Sequence, residues 1–191
     1  MPRIRMFIAI ELPSDIQQRI ATVVLDAASV GSRVKWVETN NLHLTLKFLG
    51  GVEETMLSDV QNALTDVATQ SQQFTMVMRG VGGFPNFKRP RVLWVGVDAP
   101  QALLDLQSRI ENAFQQLGFE RERRAFHPHI TIGRVKAPQG ISAVVQRLSK
   151  YENEMFGELH VQQITLMRSD LTPQGPIYTP LSHHQLSGHC N

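Results

Sequence analysis

Leu42-His43-Leu44-Thr45-Leu46-Lys47-Phe48-Leu49-Gly50 and Phe126-His127-Pro128-His129-Ile130-Thr131-Ile132-Gly133-Arg134 share one pattern, a His-x-Thr set among apolar residues. In a strand, residues i and i+2 lie on one face. His43 and Thr45 therefore point one way, while Leu42, Leu44 and Leu46 point the other. His129 and Thr131 likewise share a face, with Ile130 turned into a core. Each run predicts a half-buried strand that offers one imidazole and one hydroxyl to a common space. With seven histidines in the chain, a single His-x-Thr would carry little weight. Two of them, each in an alternating apolar frame, favour chemistry over histidines that merely satisfy strand ends.

Working outward, the two motif histidines are 86 residues apart, and Pro13 and Pro100, each opening a helical pattern, are 87 apart. Each half reads strand, helix, His-x-Thr strand, helix, strand. This is an internal duplication of the chain, far longer than a solenoid repeat. In the first half, Arg3 to Leu12 predicts a strand, and Ser14-Asp15-Ile16-Gln17 predicts a capping box. Ile16, Ile20, Val23 and Ala27 then form a helical stripe. Lys35 to Val37 predicts a short strand, and Gly50-Gly51 predicts the end of the first motif strand. A helix from about Glu53 buries Met56, Val60, Leu64 and Val67. Phe74 to Arg79 is strand-like, and Gly80 to Pro90 reads as a loop. The second half gives a strand from Arg91 to Val97 and a helix from Pro100 with Leu103, Leu106, Ile110, Ala113 and Leu117 inward. After these come the strand from His129 to Val135, a helix near Ile141 to Lys150, a strand from Phe156 to Met167 and a last strand within Pro176 to Leu186. The expected organisation is one domain over 1–191, with pseudo-symmetric halves of about 1–85 and 86–181 and a polar C-terminal tail. Two lobes facing each other would set one His-x-Thr on either side of a cleft.

Composition narrows the class. The chain has 191 residues, 42% hydrophobic and 19% charged, with a formal net charge of +2. That supports one sizeable core rather than disorder. The mild basic balance suits a small or single-stranded anionic ligand more than a long duplex. One cysteine, Cys190, precludes a disulfide framework or a cysteine-based zinc site within the chain. The apolar run Met6 to Ile10 is too short for a signal core, and no stretch long enough to span a membrane occurs. A cytoplasmic protein is expected.

The motif chemistry suits a phosphoryl group. Threonine hydroxyls can donate to non-bridging oxygens, where charge accumulates in the transition state. One neutral histidine can take a proton from water while a second, protonated, gives one to the leaving sugar oxygen. Imidazole serves both roles because its unperturbed pKa is near neutrality.

The two runs resemble the paired signatures of the two-histidine phosphoesterase superfamily. They are closest to its LigT-like branch, the RNA 2′,3′-cyclic phosphodiesterases also called ThpR. Arg89-Pro90-Arg91-Val92-Leu93-Trp94 and Arg5-Met6-Phe7-Ile8-Ala9-Ile10 resemble that branch too, and the likeness covers nearly the whole chain up to about Leu181. The resemblance implies a bilobal α+β fold, with two antiparallel sheets flanked by helices around a central cleft. It implies hydrolysis of RNA 2′,3′-cyclic phosphate ends to 2′-phosphomonoesters, with no metal or other cofactor. It implies His43 as proton donor to the leaving 3′ oxygen and His129 as proton acceptor from water. Reversible 2′–5′ RNA ligation is implied as a further activity of the same site. The competing readings are a non-catalytic RNA-end-binding module and a phosphodiesterase for another cyclic nucleotide.

Further residues divide between site and scaffold. Phe48 is a candidate platform for a base, against the ordinary reading of a core phenylalanine. Arg134 is a candidate phosphate or base contact, although strict alternation puts it on the Ile130 face unless Gly133 allows a bulge. Lys47 shares the His43 face and reads as a solvated strand-end lysine. His127 with His129 could suggest a metal pair, but no neighbouring carboxylate or cysteine completes a ligand set. The basic stretches Phe87 to Arg91 and Arg121 to Arg124 could guide an RNA strand. His183, His184 and His189 fall in the polar tail, and His160 reads as structural. A self-contained duplicated cleft makes a monomer adequate.

Overall fold

The computed structural model describes residues 2–188. Its strands are β1 (Arg3–Glu11), β2 (Val34–Trp36), β3 (His43–Glu53), β4 (Phe74–Phe84), β5 (Val92–Asp98), β6 (His129–Val135), β7 (Met155–Val161), β8 (Gln163–Thr172) and β9 (Gly175–Gln185). Its helices are α1 (Ser14–Ala28), α2 (Leu57–Thr69), α3 (Gln101–Gln116) and α4 (Ile141–Leu148). The strands pair antiparallel in the order β7-β4-β5-β6-β3-β1-β8-β9, with β2 added on β6. The resulting α+β architecture agrees with the expected class.

The nine strands form one continuous sheet, in which the two expected sheets are the groups β9-β8-β1-β3 and β6-β5-β4-β7 joined through β3 and β6. Between β3 and β6 the one register pair is Leu44 with Ile130. These are the middle residues of the two motifs, so the duplicated strands meet at their chemical centres. Leu44 and Ile130 are fully buried, as are Ile8, Leu93, Val95, Ile110 and Leu166 around them.

The lobes are not the two sequence halves. By the repeat, β1 corresponds to β5, β3 to β6 and β4 to β8. Yet β4 pairs with β5, and β8 pairs with β1. Each half thus lends its third strand to the other's sheet. The helices cross in the same way: α1 packs on α4, and α2 packs on α3. An apolar stripe such as Ile16, Ile20, Val23 and Ala27 fixes which face is buried but not which lobe buries it.

Several local expectations are corrected. The capping box does not form: Pro13 is the N-cap, without a side-chain cap bond, and the Gln17 side chain instead reaches the Leu42 carbonyl at 3.4 Å. Gly50-Gly51 does not end β3. Gly50 has φ +72 beside a register shift, so it carries a bulge through which the strand continues to Glu53. Gly80 plays the same part in β4 at φ +69, and β4 runs on to Phe84 through the expected loop. The expected strand from Phe156 to Met167 is two strands, β7 and β8, which join opposite ends of the sheet.

The expected polar tail is also structured as far as it is described. β9 pairs with β8 from Gly175 to Gln185, and Leu186 is in the core. His184 is buried, bonded to Thr65 Oγ1 at 3.0 Å and Ser182 Oγ at 2.8 Å. Its polarity is matched by partners on α2 and β9, which a sequence cannot display. Cys190 and His189 lie outside the described residues. Among those described, no helix is long and apolar enough to cross a membrane.

Candidate active site

The Leu44–Ile130 pair places His43 and Thr45 beside His129 and Thr131 on the concave face, opposite the helices. The two histidines are held alike. His43 Nδ1 donates to the Asn41 carbonyl at 2.7 Å, and His129 Nδ1 to the His127 carbonyl at 2.7 Å. A carbonyl only accepts, so each Nδ1 carries a proton and each Nε2 is the nitrogen left to take up or give up one. His43 Nε2 lies 2.9 Å from Thr45 Oγ1.

Register shifts set the direction of the side chains just beyond each motif. In β3, Ile8 pairs with Lys47 and Ala9 with Thr45, so Leu46 is an extra residue. Both Leu46 and Lys47 then turn inward and are buried. Phe48 emerges beyond them 65% exposed, its ring 6.0 Å from that of Phe7. In β6 the shift falls between the Leu93–Gly133 and Trp94–Thr131 pairs. Ile132 and Gly133 both turn inward, and Arg134 emerges exposed. A Cβ on Gly133 would come 2.8 Å from Val34 Cγ1 and 2.9 Å from Trp36 Cε3, so glycine permits this close approach. Phe48 and Arg134, each five residues after its histidine, are thus both delivered to the concave face.

Lys47 is not solvated. Its Nζ donates to Glu111 Oε2 at 2.8 Å and to the Glu120 carbonyl at 2.9 Å. Glu111 also accepts from Gln107 Nε2 at 3.2 Å and from the Glu122 amide at 3.2 Å. The bulge turned this lysine away from the His43 face and into a buried ion pair with α3.

Aromatic rings wall the histidines. His43 lies 4.9 Å from Phe7 and 5.3 Å from Tyr178, and His129 lies 4.9 Å from Phe84. His127 packs on Phe84 and Trp94 rather than pairing with His129 as a ligand set. Burial among these groups pushes both motif imidazoles below the ordinary 6.5. Secondary influences differ: Glu11 favours the charged form of His43, whereas His127 and Arg134 disfavour that of His129. Glu11 is the cross-strand neighbour of His43 and accepts from Thr165 Oγ1 at 2.7 Å. Burial raises the Tyr178 phenol, with Arg134 and Arg5 pulling it back.

Phe7, Glu11, Phe84, Trp94 and Tyr178 were not anticipated as lining. Phe7 and Trp94 are 87 residues apart, the period of the helix-opening prolines, and both lie in runs that carry the family resemblance, the two sequence signals that point to them. Tyr178 had no such signal. A groove of ≈ 620 Å³ lies elsewhere, between α2 and α3, lined by residues such as Asp59, Arg109 and Gln116 and by no histidine. No group of three metal-ligating side chains occurs among the described residues.

The family model of the 2′-5′ RNA ligase superfamily matches residues 9–173. The chain belongs to this superfamily. Among its relatives, the RNA 2′,3′-cyclic phosphodiesterase of Methanothermobacter thermautotrophicus is 36% identical over 184 residues, covering 96% of this chain and 100% of that one. The enzyme of the same name from Archaeoglobus fulgidus is 39% identical over 177 residues, covering 93% and 97%. Among solved structures, TT0787 of Thermus thermophilus superposes with TM-score 0.81 at 30% identity, covering 96% of this chain and 98% of that one. As a 2′-5′ RNA ligase superfamily member, the chain places both of its His-x-Thr motifs inside the matched region.

Proposed function

We propose that this protein hydrolyses RNA ends carrying a 2′,3′-cyclic phosphate to 2′-phosphomonoesters, with His43 as proton donor and His129 as proton acceptor. The observation that carries the reading is the Leu44–Ile130 pair, which brings two His-Thr sets together on one concave face. Relatives over nearly the whole chain bear the name RNA 2′,3′-cyclic phosphodiesterase, and Escherichia coli LigT has been solved with 3′-AMP at TM-score 0.73 and 28% identity.

In the reaction, water attacks phosphorus and passes a proton to His129 Nε2. The P–O3′ bond breaks, and His43 Nε2–H protonates the departing 3′ oxygen. A 2′-phosphate and a free 3′-hydroxyl result, and the two rings exchange their protonation states. Thr45 and Thr131 donate to the non-bridging oxygens. These side chains supply acid, base and hydrogen-bond donors without a metal ion. Phe48 stacks on the base, and Arg134 pairs with phosphate or a base edge. The role assignment is supported by the fields: a carboxylate, Glu11, beside His43 suits an imidazolium, whereas Arg134 beside His129 suits a neutral base. With a 5′-hydroxyl in the place of water, the same forward steps form a P–O5′ bond as P–O3′ breaks and join RNA ends through a 2′–5′ linkage, and their reverse cleaves that linkage back to the cyclic phosphate. The site is complete within one chain, so a monomer suffices, which light scattering checks.

The test is a short RNA with a 2′,3′-cyclic end, incubated with the protein in EDTA. A 2′-phosphate product, lost on His43→Ala or His129→Ala, is expected. A 3′-phosphate product would reverse the ribose orientation and overturn the assignment, and turnover retained in both variants would overturn the mechanism.

A further inference from the structure

The exposed basic residues of the chain are unevenly distributed. Segments 29–37, 84–97 and 127–140 lie together through the β2–β6 and β5–β6 pairings. They carry Arg33, Lys35, Lys88, Arg89, Arg91, Arg134 and Lys136 and not one Asp or Glu. Elsewhere five of the other twelve lysines and arginines have carboxylate partners, Lys47 with Glu111, Arg3 with Glu53, Arg79 with Asp98, Arg147 with Asp26 and Arg168 with Asp170. None of the seven is among the ion pairs formed by the described residues.

Four of them form an ordered array. Lys35 is the cross-strand partner of Arg134, and the next alternating positions, Arg33 and Lys136, are joined by the Lys136 amide to Arg33 carbonyl bond of 2.7 Å. Val34, Trp36 and Val135 between them pack against the core, so all four cations share the opposite, concave face. That is the face of Thr131 and His129. Successive side chains on one face of a strand are about 6.6 Å apart, and those facing each other across the ribbon about 5 Å. The first spacing is comparable to the separation of phosphates along an extended ribonucleotide strand. Unneutralised positive charge in a ladder continuous with the site complements a polyanion longer than the reacting nucleotide.

We propose that the RNA strand leading to the cyclic end lies along the β2–β6 ribbon, its backbone phosphates held by Arg33, Lys35 and Lys136 outward from Arg134. This rests on the function proposed above and adds that the protein is built for a polynucleotide end rather than a free cyclic nucleotide.

The test uses the triple variant Arg33→Ser, Lys35→Ser, Lys136→Ser, whose positions are exposed and outside the reacting centre. Rates are compared on a 2′,3′-cyclic mononucleotide and on a short single-stranded RNA with the same end. The variant is expected to lose about tenfold or more in kcat/KM on the RNA while the mononucleotide rate stays unchanged. Fluorescence anisotropy with a labelled RNA ending in a 3′-phosphate reads binding apart from catalysis. There the slope of log affinity against log salt should fall by about 2, roughly 0.7 for each lost phosphate contact. Equal loss on both substrates, or undiminished RNA binding with an unchanged salt slope, would overturn the proposal. If the wild-type protein turned over neither substrate, the reaction reading would fail, and anisotropy alone would still decide this one.

Discussion

His43 and His129 present the same ring with the same Nδ1 anchor but stand in different electrostatic surroundings. Burial lowers both from 6.5, so in the free protein the neutral forms gain ground at neutral pH. In the proposed mechanism the productive form has His43 charged and His129 neutral. The profile of kcat/KM, which reports the free enzyme, should therefore peak on the acid side of 6.5, with apparent values belonging to the coupled pair. Glu11→Gln removes the carboxylate that favours the His43 imidazolium, so the alkaline limb should move to lower pH. Superimposable profiles for wild type and variant would refute the part given to Glu11. Stability has its own sign: a histidine held below 6.5 binds fewer protons folded than unfolded, so stability drops as pH falls from about 6.5 toward the folded values. Phe48 tests the site differently. It is 65% exposed, so Phe48→Ala should leave the melting temperature unchanged. If a base stacks on it at about 1–3 kcal/mol, KM should rise roughly fivefold to a hundredfold, with kcat little changed. An unaltered KM would return Phe48 to an idle surface residue.

At the scale of the element, the bulges in β3 and β6 explain both what the sequence displayed and what it hid. Alternation located His43, Thr45, His129 and Thr131 because those residues precede the irregularity. Lys47 was misread because a bulge is a property of two strands, visible only once Ile8 and Ala9 of β1 stand opposite β3. Arg134 was legible to the extent that Gly133 advertised a bulge, whereas nothing in Leu46-Lys47 advertised one. Glu111, the partner of Lys47, lay 64 residues away on a helix whose inward face was read from its apolar residues alone. The pair is closely enclosed, with side chains 4% and 6% exposed. Lys47→Met should therefore strand a buried carboxylate and cost about 3–5 kcal/mol, read from urea denaturation. Adding Glu111→Leu should recover much of that loss, since a buried ion pair often exchanges for apolar residues at little cost. A Lys47→Met variant as stable as wild type would show that the pair does not anchor the bulge.

At the scale of the molecule, the duplication was legible from spacing, but the exchange of β4 and β8 between sheets was not. Period and hydrophobic pattern are identical whether a third strand joins its own half or the other. The pairings β4–β5 and β1–β8, with α1 on α4 and α2 on α3, make each lobe from both halves. Neither half of the chain can unfold without stripping strands from both lobes, so unfolding should be a single cooperative transition. The chain contains its own reporter. Trp36 lies in β2 and Trp94 in β5, both on the β6 side of the Leu44–Ile130 junction. Tryptophan fluorescence therefore tracks one lobe, while far-ultraviolet circular dichroism tracks both. In urea the two curves should coincide in midpoint and slope. A fluorescence transition displaced from the dichroism curve would mean that the lobes melt separately and that strand exchange does not couple them. Such coupling matters to the reaction, because His43 and His129 stand on β3 and β6, one from each lobe, and their alignment depends on both lobes being folded at once.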